Sequence, residues 1–185
     1  MMVYHFTLTL GGVNAHTPGL EDALFECGCD DALLCFYGNT VYLEFDRESN
    51  SFEQAVLSAI ANIESSALPA RVASVDATLL GLSDIAQRSQ LSRQAVAMLK
   101  DGTRGPGTFP APVQRLTGSS PLWRWASVAR WLYENGKLSA ELAENAQIME
   151  NINLALALRA TPQRQYVTQL AARLADSAEE PRSVI

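Results

Sequence analysis

The sequence predicts an α+β protein built in three successive parts, and local apolar patterning carries that prediction. Residues 1–78 arrange their patterns in the order strand, helix, strand, strand, helix, strand. Residues 79–137 hold two short helical patterns, then a loop and two short strands, and residues 138–177 are helical. The polar end, residues 178–185, is expected to be disordered. A chain of 185 residues that is 48% hydrophobic can bury a sizeable core.

A short sequence pattern predicts each element of the first part, residues 1–78. The stretch VYHFTLTLGG alternates as a strand up to Gly11-Gly12, and a helical face then ends at Gly28. Gly38-Asn39 separates two apolar runs, which is typical of a hairpin with a two-residue turn. Ser51 is placed to cap the next helix, and ARVASVDA is the last strand. This order predicts a ferredoxin-like sandwich with helices on one face of the sheet.

The second part begins with two short helices. Ser83 is predicted to cap the first and Ser92 the second, with a turn at Ser89-Gln90-Leu91 between them and Gly102 as the end. Their spacing fits a helix-turn-helix, in which a small residue allows the two helices to approach closely. The apolar positions are Ile85, Ala86, Leu91, Val96 and Leu99.

A predicted wing follows these helices. After a Gly/Pro-rich loop come strand VQRLT, turn GSSP, strand LWRW and helix ASVARWLYEN. The residues of the whole pattern are Leu82-Ser83-Asp84-Ile85-Ala86, Leu91-Ser92-Arg93-Gln94-Ala95-Val96, Phe109-Pro110-Ala111-Pro112, Trp123-Arg124-Trp125, Val128 and Trp131-Leu132. In these residues the chain resembles the winged helix-turn-helix of the MerR and excisionase-like DNA-binding families. The resemblance covers about residues 79–137, roughly a third of the chain.

The order of the parts departs from that of MerR regulators. Their DNA-binding module lies at the N-terminus and a coiled coil follows it, whereas here an acidic α+β part comes first. In this respect the chain is similar to a group of bacterial DNA-binding proteins with an acidic N-terminal domain. The resemblance therefore implies a bacterial or phage-type transcriptional regulator, without ligand or metal sensing of the MerR kind.

Charge is unevenly distributed along the chain, whose formal net charge is −6. Residues 1–80 carry two basic and eleven acidic residues, a net of −9. Residues 81–138 carry eight basic and three acidic residues, a net of +5, and residues 139–185 carry four and six, a net of −2. The basic middle part suits a phosphate backbone, while the acidic first part argues against an RNA-recognition version of the ferredoxin-like fold.

Double-stranded DNA is therefore the predicted partner. Arg93 and Gln94 lie at the start of the second helix, where Arg pairs with guanine and Gln with adenine. Ser92 and the adjacent helix amides are predicted to hold a phosphate. The remaining predicted contacts, to phosphate or to the minor groove, are Lys100, Thr103, Arg104, Arg115 and Arg124.

A homodimer is expected, because one module of this size binds DNA weakly and paired half-sites are the usual remedy. In the third part an apolar stripe is a candidate for dimerisation or for packing within its own chain. The stripe consists of Leu142, Ala146, Met149, Ile152 and Leu156. Trp123, Trp125 and Trp131 are predicted to be core residues of the small module and not stacking platforms.

Other classes of function stay open beside this one. The helix-turn-helix of an adaptor docks a protein, and the acidic part could bind a protein partner or a small ligand. An enzyme with a site on the acidic part is a further alternative, although the sequence shows no glycine-rich phosphate loop, paired carboxylates or nucleophile–base pair. The spacing of Cys27, Cys29 and Cys35 is unlike that of structural zinc sites, so neither a metal nor a cofactor is predicted.

Location follows from what the N-terminus and the apolar runs lack. MMVYHFTLTLGG has neither the basic flank nor the cleavage site of a signal peptide, and no apolar run approaches the length of a membrane span. A cytoplasmic protein without membrane association is the expectation.

Overall fold

The computed structural model describes residues 1–179, with side chains up to residue 176. It confirms the mixed α+β class with an antiparallel sheet. The N-terminal elements in chain order are β1 (Met2–Gly11), α1 (Leu20–Glu26), β2 (Ala32–Tyr37), β3 (Thr40–Ser49), α2 (Phe52–Ser65) and β4 (Arg71–Val75). The central elements are β5 (Leu79–Leu80), α3 (Leu82–Ser89), α4 (Arg93–Lys100), β6 (Trp123–Arg124) and α5 (Trp125–Glu134). The C-terminal elements are α6 (Ala140–Ala160) and α7 (Arg164–Glu179).

The N-terminal strands form one four-stranded sheet in the order β2-β3-β1-β4, and every neighbouring pair is antiparallel. The hairpin at Gly38-Asn39 lies where its sequence predicts it, with Tyr37 opposite Thr40. Ser51 caps α2, since its hydroxyl accepts a hydrogen bond from Gln54 N at 3.2 Å. The apolar stripe of α2 then covers the inward-facing strand residues, which places the core on one face of the sheet.

An arginine is buried beside this core. Arg47, on β3, is only 8% exposed. Its Nε and Nη2 donate to both carboxylate oxygens of Asp31 at 2.7 and 2.8 Å, and Nη2 also donates to Gly28 O at 2.8 Å. The guanidinium lies 4.9 Å from the centroid of the Phe45 ring. These contacts hold the turn between α1 and β2 against the edge of the core.

Helix α6 joins the sheet to the central module. Its inner residues Ala146, Met149, Ile152 and Leu156 are buried in the same cluster as the sheet and α5. The predicted stripe is therefore packed within its own chain, apart from the half-exposed Leu142.

Polar contacts fix α6 along the free edge of β4. The Asn153 side chain accepts from Val75 N at 2.9 Å and donates to Val75 O at 2.7 Å, as a neighbouring strand would. Arg159 donates to Val72 O at 3.0 Å and to both carboxylate oxygens of Glu64, at 2.7 and 3.0 Å. One sheet edge is thus covered by a helix.

Replacing Glu64 with glutamine is expected to lower the free energy of unfolding at pH 7 by about 1–2 kcal/mol. Burial raises the pKa of Glu64, but hydrogen bonds from Val72 N and Arg159, together with Arg71, outweigh it and leave the pKa lowered. A carboxyl with a lowered folded-state pKa stabilises the fold above its unfolded pKa and loses that contribution as the pH falls through the folded pKa.

Urea unfolding at pH 7 and at progressively lower pH measures this difference, with Glu26→Gln on the exposed face of α1 as the matched control. The difference in the free energy of unfolding between the wild type and Glu64→Gln should shrink as the pH is lowered. A difference that stays constant with pH would show that the ion pair of Glu64 does not cause the loss of stability.

Helix boundaries differ from prediction at three places. Helix α3 starts at Leu82, one residue before the predicted cap Ser83, because Asp84 Oδ2 accepts from Gly81 N at 3.2 Å and so closes the first turn. Thr161 and Pro162 in the sequence predict a cap and a first helical position for the last helix, whereas α7 starts two residues later, at Arg164. The predicted disordered tail overlaps α7 at residues 178 and 179, and residues 180–185 lie outside the described residues. No helix within residues 1–179 is long and apolar enough to cross a membrane.

Candidate nucleic-acid interface

Helices α3 and α4 are joined by the short turn Gln90–Ser92. Gln90 adopts a left-handed conformation with φ 57°, and Leu91 N donates to Ala86 O at 3.1 Å. The buried Ser89 hydroxyl donates to Ile85 O at 2.6 Å, which satisfies the one polar side chain at this contact. Two short helices joined by a turn therefore lie where the sequence predicts them.

Helix α4 is anchored on one side and free on the other. Val96 and Leu99 are buried in the core, and Ser92 caps the helix by accepting from Ala95 N at 3.1 Å. Arg93 and Gln94, at the capped end, are exposed. Within residues 1–179 neither side chain has a hydrogen-bond or ion-pair partner. Both therefore remain available to a ligand that approaches the first turn of α4.

The loop after α4 is tied to the end of that helix. Thr103 Oγ1 donates to Met98 O at 3.1 Å, and Arg104 N donates to the same oxygen at 3.2 Å. Gly105 has φ 79°, a left-handed conformation that strains any other residue, and an added Cβ would also crowd a Leu99 methyl carbon at 3.2 Å. These contacts fix the starting point of the exposed Arg104 side chain.

The predicted wing is shorter than its sequence pattern indicates. The strand expected over VQRLT is reduced to one antiparallel bridge between Gln114 and Leu122, and the chain turns from Arg115, at φ 55°, to Gly118. Residues after the bridge pair elsewhere, because β6 joins β5 in a two-stranded ladder. Arg115 is exposed at this turn.

Two of the predicted DNA contacts are ion-paired within the chain. Lys100 Nζ pairs with the adjacent Asp101 carboxylate. Arg124 Nη1 donates to Glu150 Oε1 on α6 at 2.7 Å. A phosphate would have to compete with these carboxylates, so Arg93, Arg104 and Arg115 are the more available cations of the predicted set.

The tryptophans belong to the core, as predicted. Trp123, Trp125 and Trp131 are all buried. Trp123 Nε1 donates to Pro110 O at 3.0 Å, and the Trp131 ring meets Phe109 edge-on with centroids 5.1 Å apart. The Phe109–Pro112 segment thus packs against Trp123 and Trp131, and the three tryptophans offer no exposed stacking surface.

Met98 is a partly exposed surface residue that is not among the predicted DNA contacts. It lies on α4 and is partly exposed although its neighbours Val96 and Leu99 are buried. Its position four residues after Gln94 places both on one helix face. That helical spacing was the available signal, and an apolar side chain there can contact a thymine methyl group.

Among residues 1–179 no group of three or more metal-ligating side chains comes together. Cys27 and Cys29 sulfurs are 3.9 Å apart, whereas Cys35 lies on β2.

No protein-family model, no curated protein and no solved structure matches the chain.

Proposed function

We propose that the protein binds double-stranded DNA in a sequence-specific manner through α4 and acts as a transcriptional regulator. The observation that carries this is the free, capped end of α4, where Arg93 and Gln94 are exposed and unpartnered among the described residues. This end lies in the part of the chain with a net charge of +5. A helix that offers such side chains to the major groove is the usual means of reading bases.

Each side chain has a distinct task in the complex. Arg93 donates two hydrogen bonds to O6 and N7 of a guanine, and Gln94 both donates to and accepts from an adenine. Ser92 and the first-turn amides of α4 face a phosphate, and Arg104 and Arg115 neutralise the backbone on either side. Met98 adds apolar contact to a thymine methyl group.

The proposal extends to the folds of the first two parts of the chain and to the oligomeric state. The sheet order β2-β3-β1-β4 with helices α1 and α2 supports a ferredoxin-like first domain. The α3–turn–α4 unit, the Gln114–Leu122 bridge and the β5–β6 pair support a reduced winged helix-turn-helix. The regulator acts in the cytoplasm as a homodimer, which doubles the contacts of a small module.

Fluorescence titration of a labelled duplex at a series of salt concentrations tests DNA binding. With Arg104 and Arg115 on phosphates, the logarithm of the association constant should fall with the logarithm of salt with a slope of about −2 per protomer. Absence of binding to any duplex at low salt would overturn the proposal and favour the adaptor, in which the same α4 face docks a protein.

A further inference from the structure

The two edges of the N-terminal sheet differ in how they are protected. Helix α6 covers β4 through Asn153 and Arg159. The other edge, β2, has no strand or helix paired to its outer side among residues 1–179. An open strand edge is a template for another chain unless charges, prolines or bulges blunt it.

We propose that β2 is the dimer interface, in which it pairs antiparallel with β2 of a second copy of this chain. The two sheets then join into one continuous sheet around a two-fold axis at Cys35. The proposal identifies the interface of the homodimer described under the proposed function. It rests on that function only for the role of the dimer in DNA binding.

The direction in which the backbone N–H and C=O groups of β2 point determines the register of the proposed pairing between the two copies. Asp46 N donates to Asp31 O at 3.1 Å, so in the pairing of β2 with β3 the odd-numbered residues of β2 are bonded inward. The N–H and C=O groups of Leu34 and Phe36 therefore point outward. Pairing Leu34 with Phe36 of the second copy uses all of these groups and leaves Cys35 opposite its own counterpart.

The side chains of β2 are self-complementary in this register. Leu33 and Tyr37 are 64% and 82% exposed, lie on the same face, and each would face the other across the axis. On the opposite face Leu34 would meet the half-exposed Phe36. Large apolar side chains thus meet on both faces of the joined sheet, where they would cover one another.

The side chains of β2 itself carry no charge that would oppose a second copy as the occupant. The strand ALLCFY contains no charged residue and no proline, so it neither repels itself nor selects a charged partner. The acidic residues of the domain lie on other elements, such as Glu44 and Asp46 on β3. An edge built to avoid self-association would carry a charge at Leu33 or Tyr37.

Oxidative cross-linking tests the register without DNA. Residues opposite each other in a non-hydrogen-bonded pair lie about 4.5 Å apart at Cα, within the range of a disulfide. Treating the full chain with copper phenanthroline should give a dimer on a non-reducing gel that reductant reverses. Cys35→Ser should abolish it, and Cys27→Ser should not. Cys29 is a poor competitor, because burial and the neighbouring Cys27 raise its pKa to about 12.

Sedimentation equilibrium tests the interface independently of the cysteines. The double variant Leu33→Lys, Tyr37→Lys changes only exposed side chains, so it should fold and sediment as a monomer where the wild type is a dimer. Val167→Lys, on the exposed face of α7, is the matched control and should remain dimeric.

Four outcomes would overturn the inference: a monomeric wild type, a dimer that persists in the double variant, a cross-link that survives Cys35→Ser, or a monomeric Val167→Lys. None of these involves DNA. Failure of the dimer therefore leaves DNA binding through α4 to be judged by its own titration.

Discussion

Replacing Arg47 with methionine is expected to lower the free energy of unfolding by about 3–5 kcal/mol. Methionine fills much of the same volume but donates no hydrogen bond. Asp31 then loses its bidentate partner, and Gly28 O and the Ser58 hydroxyl each lose a donor. The removal of one partner of a buried pair is costly because the other partner stays desolvated.

Urea unfolding followed by circular dichroism measures this loss against a matched surface change. Arg71→Met removes an arginine that is mostly exposed and lies 3.5 Å from Glu64 at its nearest approach, so its cost should be below about 1 kcal/mol. Equal losses in the two variants would contradict the assigned role of the Arg47 network.

Replacing Arg93 or Gln94 with alanine is expected to weaken binding to the preferred DNA sequence by about 1–3 kcal/mol each, roughly a factor of 5 to 150. Arg93→Ala should also relax the preference for one guanine, and Gln94→Ala the preference for one adenine. Both side chains are exposed and lack intramolecular partners among the described residues, so unfolding should be unchanged.

Arg173→Ala is the matched control for these two variants. Arg173 is exposed on α7, outside the central module, and its loss removes the same charge as the loss of Arg93. Binding of Arg173→Ala should equal that of the wild type. An equal decrease in Arg173→Ala and Arg93→Ala would show that net charge, and not the α4 position, governs affinity.

Local signals were sufficient for much of the N-terminal part. Gly38-Asn39 and Ser51 specify a turn and a cap through their own backbone and side-chain preferences, and both lie where predicted. The predicted length of the strand over VQRLT was wrong, because the length of a strand depends on partner strands that can lie far away in the sequence. The pairing of β6 with Leu79–Leu80 joins residues more than forty positions apart, which no local pattern indicates.

In the candidate site, too, local sequence patterns predict some features and not others. The exposure of Gln94 follows from its place opposite the buried Val96 and Leu99 on one short helix, and Arg93 is exposed as the first residue of that helix. The ion pair of Arg124 with Glu150 does not follow from either local pattern, because it requires α6 to fold back onto α5. Asn153 likewise gains its role on β4 only from this long-range packing.

Selection of bound duplexes from a random pool, with wild type, Arg93→Ala and Gln94→Ala in parallel, tests base recognition through α4 most directly. We expect the wild type to select a defined sequence, and each variant to select sites in which a different position is relaxed. Both variants retaining the wild-type preference would contradict the assignment of α4 as the helix that contacts the bases.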